Sequence, residues 1–382
     1  MNNIEFIDLQ AQRRHLGARI DEAIQRVLDH GHFIMGPEIK ELEAQLSTFG
    51  RCEHAVSCES GTDALLLPLM AWKIGLNGGG RKDAVFVPSF TFASTAEMVA
   101  LVGATPVFVD VRSDTFNMDP SRLQQAVEEV KAKGELTPRA VIAVDLFGQI
   151  ADYPALTEIC RSHGLKLVSD AAQAFGATLD GKQASHWADC VTTSFFPAKP
   201  LGCYGDGGAI LTNDRDLAEI MVSLRIHGKG SDKYDNVRIG LNGRMDTLQA
   251  AILIQKLGIF PEEIVKRNKI AARYSEALAP VVTVPFVVDG AVSTWAQYTL
   301  IVDKRSEMQA ALNKRGVPSA VYYPRPLHQQ TAYRDFPVSG NGLPVSEELS
   351  SKVLSLPMHP YIDEDTQDYI IESVKQAAVK PN

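Results

Sequence analysis

Apolar positions fall along this chain with two periods that alternate. From Leu9 to His30 they recur at Leu16, Ile20, Ile24, Val27 and Leu28, a spacing that predicts one amphipathic helix. Gly36-Pro37 breaks that pattern, and a second helix is predicted from about Pro37 to Phe49. Short apolar runs then take over, at His54 to Cys58, Ala84 to Pro88, Thr105 to Asp110, Ala140 to Val144 and Leu165 to Asp170. Helical patterns separate them: one opening at Ser60-Gly61-Thr62, one ending near Val102, then Ser121 to Lys133 and Tyr153 to His163. Continuous apolar strands alternating with helices predict an α/β fold with a mostly parallel central sheet covered on both faces.

The stretch from Thr193 to Thr212 reads strand, loop, strand. Beyond it, helices are predicted at 246–257, 261–279, 306–315 and 363–379, with a strand at 297–302. That pattern divides the chain into a large domain, 1–258, with the N-terminal helices, and a smaller α+β C-terminal domain, 259–382.

Composition narrows the function classes. The chain has 382 residues, 45% hydrophobic and 22% charged, as an ordinary globular protein has. Its net charge of −8 argues against a nucleic-acid partner, because phosphate neutralisation needs clustered Lys and Arg. No apolar run is long enough to span a bilayer, and Met1 to Phe6 lacks the basic and apolar regions of a secretory signal, so a cytoplasmic protein is expected. Five cysteines without CxxC spacing favour reduced thiols over a metal site or a disulfide framework.

Chemistry concentrates at strand ends, where open α/β sheets bind ligands. Ser60-Gly61-Thr62 opens a helix, and its free N–H groups either receive a phosphate or are simply capped by Ser60 or Thr62. Asp170 closes an apolar strand and is either a helix N-cap or a partner for a cationic nitrogen. Lys199 follows 29 positions later (199 − 170), on a glycine-dense loop between Phe196 and Gly208. A surface lysine on a hairpin is the plain reading; an amine poised to attack a carbonyl carbon is the chemical one. An aspartate for a pyridine nitrogen, a lysine for a Schiff base and a Gly-Ser-Thr turn for a phosphate are together what a pyridoxal 5'-phosphate site needs. His32, on a glycine loop, has no visible partner and reads as structural.

Seven motifs occur in order: Phe6-Ile7-Asp8-Leu9, Gly36-Pro37-Glu38, Ser60-Gly61-Thr62-Asp63-Ala64, Ser89-Phe90-Thr91-Phe92, Asp170-Ala171-Ala172-Gln173, the Lys199 loop, and Leu241 to Ala251 around Asn242-Gly243-Arg244. With them the sequence resembles, along nearly its whole length, the DegT/DnrJ/EryC1/StrS sugar aminotransferases, which are fold type I pyridoxal-phosphate enzymes. The resemblance implies that Lys199 forms the Schiff base and shuttles the proton, and that Asp170 pairs with the pyridine nitrogen. It implies that Gln173 bonds near the phenolic oxygen, that Phe92 stacks on the ring, and that Gly61, Thr62 and Ser194 hold the phosphate. Asn242 would reach the phosphate of a neighbouring subunit, making the active site a property of a homodimer. Pyridoxamine 5'-phosphate would be the intermediate cofactor form and L-glutamate the amino donor. Family members with histidine at the lysine position are dehydratases; Lys199 favours transamination.

The Lys199 loop, Leu354 to Tyr361 and Ala296 to Thr299 are most similar to the branch that aminates UDP-2-acetamido-2-deoxy-3-oxo-glucuronate for surface polysaccharide. Arg244 matches that branch's substrate-contacting arginine; its other reading is an ion pair with Asp246. The branch usually has histidine before Tyr-Pro, where this chain has Tyr322 before Tyr323-Pro324. A phenol does not carry a positive charge near neutral pH. His328 either supplies the missing imidazole or is a loop residue. An aminotransferase for a dTDP-3-oxo- or 4-oxo-6-deoxyhexose and a cofactor-dependent sugar dehydratase are the alternatives, with a noncatalytic regulator that binds the cofactor and DNA disfavoured by the charge of −8 and the lack of a basic helix-turn-helix segment.

Overall fold

The computed structural model describes residues 4–232 and 234–378. The first predicted helix is two helices, α1 (Leu9–Leu16) and α2 (Ala18–His30). They are split at Gly17, whose φ of 58° and ψ of −135° suit glycine alone. The apolar spacing runs through both, which is why periodicity did not show the break. Helix α3 (Pro37–Gly50) starts, as predicted, with proline in its first turn.

Among the described residues seven strands form the central sheet. In chain order they are β1 (His54–Cys58), β2 (Asp83–Pro88), β3 (Thr105–Val109), β4 (Thr137–Val144), β5 (Lys166–Asp170), β7 (Cys190–Ser194) and β8 (Gly208–Thr212). A two-residue strand, β6 (Thr178–Leu179), lies outside this sheet and pairs with β9 (Ala291–Val292). The spatial order is β1-β8-β7-β5-β4-β2-β3, with β8 antiparallel to both neighbours and every other pair parallel.

Alternation along the strands feeds two cores. Phe86, Leu167 and Leu211 face α3, α6 (Pro120–Lys133), α7 (Tyr153–His163) and α9 (Thr247–Leu257). Val85, Val168 and Ile210 face α4 (Gly61–Ala71), α5 (Ser94–Leu101) and α8 (Arg215–Leu224). Each such side chain contributes about 1.5–3 kcal/mol on burial, so the strand ends that carry the chemistry stand on a fixed base.

Helix α10 (Phe260–Leu278) joins this sheet to a third core. Phe260 and Ile264 pack on the sheet, while Ile270, Tyr274 and Leu278 pack with β10 (Tyr298–Ile301), α11 (Arg305–Lys314), β11 (Val353–Leu356) and α13 (Glu364–Ala378). Between α11 and α12 (Pro344–Lys352) the chain returns to the large core, where Leu327, Tyr333 and Leu343 are buried. The predicted strand at 297–302 is β10, paired antiparallel with β11. The predicted end of the last helix at 379 lies outside the described residues.

Candidate active site

Strands β7 and β8 form the predicted hairpin, and Lys199 sits in its loop. The Lys199 N–H donates to the Phe196 carbonyl at 2.8 Å, and the Cys203 N–H returns to Phe195 at 2.8 Å. Gly202 keeps the turn tight, because a Cβ there would lie 2.5 Å from the Pro197 oxygen. Burial lowers the Lys199 pKa from its ordinary value, and the nearby Asp170 charge opposes that. A lowered pKa keeps more of the amine in the neutral, nucleophilic form.

Asp170 ends β5 and is buried. Its Oδ2 accepts the Thr95 hydroxyl at 3.0 Å and its Oδ1 accepts the Ala172 N–H at 3.2 Å. Burial raises its pKa, opposed by the Ala172 N–H, by the Lys199 charge and by Thr95. The N-cap reading fails: turns follow Asp170, with no helix to cap. Lys199 and Asp170 influence each other electrostatically, yet among the described residues Lys199 forms no ion pair.

Gln173 is buried beside them. Its Oε1 accepts the Phe147 N–H at 2.6 Å, which fixes the orientation of the amide, and its Nε2 donates to the Tyr323 hydroxyl at 3.2 Å. The Phe92 ring is 56% exposed, with its centroid 6.2 Å from that of Tyr323. That exposure leaves Phe92 surface available for a further contact.

The strand register brings Ser194 against the N-terminus of α4. Cys58 on β1 and Ser194 on β7 both lie opposite Gly208 on β8. The chain leaving β1 therefore crosses the end of β8, over a glycine, and meets Ser194. A Cβ on Gly61 would lie 2.5 Å from the Ser194 Cβ, so only glycine allows this approach. Ser60 caps α4 by accepting the Asp63 N–H at 3.1 Å. The N–H groups of Gly61 and Thr62 are the first of that helix and have no intrahelical acceptor. Capping and anion binding are thus compatible here, with different N–H groups serving each.

Asn242 and Arg244 occupy the loop between α8 and α9. The loop is pinned where Gly243 accepts the Glu59 N–H at 3.1 Å and where the Thr247 N–H donates to Phe33 at 2.9 Å. The Asn242 side chain is exposed. Arg244 makes no ion pair with Asp246 or any other described carboxylate, and its Nε is buried without a hydrogen-bond partner. Tyr322 is half-buried, with its ring centroid 6.3 Å from that of Phe6. His328 offers no free imidazole. Its Nδ1 lies 2.7 Å from the Ser89 hydroxyl and its Nε2 lies 3.1 Å from Glu347. It serves as a tie between the end of β2 and α12.

Two residues of the site escaped the sequence reading. Thr95 supports Asp170 from 75 positions away, and nothing in its own neighbourhood signals this. Tyr323 shares its hydroxyl with Gln173; its place next to Tyr322 was the available signal.

Residues 14–375 match the DegT/DnrJ/EryC1/StrS aminotransferase family. The chain is 47% identical over 363 residues to the UDP-2-acetamido-2-deoxy-3-oxo-D-glucuronate aminotransferase of Pseudomonas aeruginosa, covering 94% of this chain and 96% of that protein. A crystal structure of a DegT DnrJ EryC1 StrS aminotransferase from Brucella abortus is similar with a TM-score of 0.96 and 49% identity, over 99% of this chain and 100% of that one. NtdA from Bacillus subtilis, solved with bound cofactor PMP, is similar with a TM-score of 0.87 and 27% identity, over 99% of this chain and 86% of that one.

Proposed function

The chain belongs to the DegT/DnrJ/EryC1/StrS aminotransferase family and is a pyridoxal-phosphate-dependent nucleotide-sugar aminotransferase. From that premise we propose that it moves an amino group from L-glutamate to the 3-oxo carbon of UDP-2-acetamido-2-deoxy-3-oxo-glucuronate.

The residues present fit the cofactor. Gly61, Thr62 and Ser194 form a cradle that a Cβ at position 61 would fill, and the exposed Phe92 ring offers a stacking face. Asp170, held by Thr95 and Ala172, would keep a ring nitrogen protonated. When bound, pyridoxal phosphate supplies the electron sink that makes the amine-bearing carbon acidic. Lys199 Nζ accepts that proton and returns it, a role its lowered pKa suits. Gln173 Nε2 has a second N–H to offer a phenolic oxygen.

Arg244 carries the choice of substrate. A partly buried guanidinium with no carboxylate beside it suits a ligand that brings one, and a uronate does. Tyr322 would hydrogen-bond the sugar where related enzymes place a histidine. Asn242 would serve the phosphate of a second copy. Phe33, Ile34, Phe196 and Ile239 are exposed near the site loops, which supports a homodimer. We read residues 1–258 as the cofactor-holding domain and 259–382 as the smaller C-terminal domain. The five cysteines are free thiols, which fits the cytoplasm. No helix among the described residues is long and apolar enough to cross a membrane.

The test is the reverse half-reaction. The pyridoxal form is mixed with UDP-2-acetamido-3-amino-2,3-dideoxy-glucuronate and, separately, with a dTDP-3-amino-6-deoxyhexose. Loss of the visible cofactor band with the uronate alone supports the assignment. Loss with the deoxyhexose alone overturns it.

A further inference from the structure

Helix α9 holds a buried lysine against the Lys199 turn. Lys256 is 1% exposed, and its Nζ donates to the Gly202 carbonyl at 2.6 Å. The same Nζ stands 4.3 Å from the centroid of the Tyr204 ring. Seven residues earlier on the same helix face, Gln249 Oε1 accepts the Tyr204 N–H at 2.9 Å. Between these two grips, Cys203 is fixed to the Phe195 carbonyl by its N–H at 2.8 Å and by its thiol at 3.0 Å. Lys256 makes no ion pair among the described residues, and Glu263, the carboxylate that faces it from α10, is already bonded by Gln12 and Tyr361. Burying an unpaired ammonium is costly, and methionine or leucine would fill the same space without that cost. The charge is spent on one carbonyl and one ring, both within five residues of Lys199.

We propose that Lys256 is a positioning residue for Lys199, its ammonium clamping the Gly202 carbonyl and the Tyr204 ring so that the turn holds the Lys199 amine in reach of the reacting carbon. The proposal rests on Lys199 being the reacting amine. It also sets a pH dependence. Burial brings the Lys256 pKa down to about 8, with Cys203 and Glu263 opposing. Below that value the clamp is a charge-assisted hydrogen bond plus a cation–π contact; above it both weaken. The other groups around the clamp are the Cys203 thiol, pushed up to about 11 by burial, the Asp206 charge that acts on it, the Tyr204 phenol, also raised by burial, and the Arg13 and Asp21 charges that act on Tyr204. The Cys203 and Tyr204 shifts both run upward, so Lys256 loses its proton first.

The test compares Lys256→Met with Lys256→Gln, which keeps a donor but no charge, in enzyme stripped of and reloaded with pyridoxal phosphate. The rate at which the lysine-dependent visible band appears on reloading is read beside kcat, KM and a thermal melt. Lys256→Met is expected to slow band formation and kcat by about tenfold or more, the worth of a charged hydrogen bond, with KM for the sugar nucleotide little changed. The wild type is expected to lose kcat above about pH 8, and that fall is expected to disappear in both variants, an effect that loss of packing alone would not produce. Folded variants with wild-type band formation and an unchanged basic limb overturn the proposal. Lys199→Ala separates the two claims. A lysine-dependent band that survives in that variant removes the reading of Lys199 itself. A dead Lys199→Ala beside a normal Lys256→Met removes only the role of Lys256.

Discussion

Gly61 and Ser194 meet across the end of β8 so closely that a Cβ on Gly61 would lie 2.5 Å from the Ser194 Cβ. Real Cβ contacts do not come this near, so Gly61→Ala pushes Ser194 or the α4 N-terminus out of place. Such overpacking costs about 1–3 kcal/mol, and here it falls on the phosphate cradle. The variant is expected to bind pyridoxal phosphate roughly five- to 150-fold more weakly, from the same energy range. Cofactor titration followed by absorbance measures this. Unchanged affinity in a folded variant would remove the cradle from the phosphate site.

Thr95 donates to Asp170 Oδ2 at 3.0 Å and so favours the charged carboxylate. Thr95→Val removes that donor, and the Asp170 pKa, already raised by burial, rises further. More of Asp170 is then protonated at a given pH, so the acidic limb of kcat/KM moves to higher pH by about one unit or more, the equivalent of a charged hydrogen bond. Thr95→Ser keeps the hydroxyl and leaves the limb in place. A limb that stays put in the valine variant contradicts this role.

The sheet was legible because β2 and its parallel neighbours are buried on both faces, which forces continuous apolar runs such as Ala84 to Pro88. Asp170 was singled out because it ends such a run, and Lys199 because it follows the β7 run into a glycine-dense loop. What escaped notice depends on long-range contact. The break at Gly17 interrupts the backbone without interrupting the apolar period. Helix α12 escaped because its buried face includes the small polar residues Ser346 and Ser350, one of them bonded to Asp110 at 2.7 Å. Thr95, on helix α5, matters only through a carboxylate at the end of β5. His328 was ambiguous until both of its ring nitrogens were seen to be engaged.

Two buried groups oppose each other in the pH dependence of stability. Asp145 accepts from Ala151 N–H, Tyr153 and Ser169, yet burial pushes its pKa from 3.8 up to about 7. Between those values the folded chain keeps a proton the unfolded chain has lost, so this group makes stability fall as pH rises. His359 is brought from 6.5 down to about 4 by burial and by the Arg267 charge. Between those values the unfolded chain binds the extra proton, so stability rises with pH. Each contribution is about 3–4 kcal/mol, and over pH 4 to 6.5 they largely cancel. Denaturant midpoints are therefore expected to rise with pH in Asp145→Asn and to fall with pH in His359→Gln. Parallel slopes in the two variants would show that neither group titrates this way.

Arg244 gives the sharpest test of the substrate. Its guanidinium faces no described carboxylate and its Nε has no partner. If it clamps the uronate, Arg244→Gln loses charge-assisted bonds worth about 1.5–3 kcal/mol, a loss of roughly ten- to a hundredfold in kcat/KM for the UDP-uronate. Arg244→Lys recovers only part of this, because an ammonium lacks the planar fork that meets both carboxylate oxygens. A UDP-sugar with a neutral hydroxymethyl group at the same carbon brings no carboxylate, so the wild type handles it poorly and Arg244→Gln changes that little. The ratio of the two substrates then collapses in the variant. Equal losses on both sugars would instead make Arg244 a support for its loop, and would return the choice of sugar to Tyr322 and its neighbours.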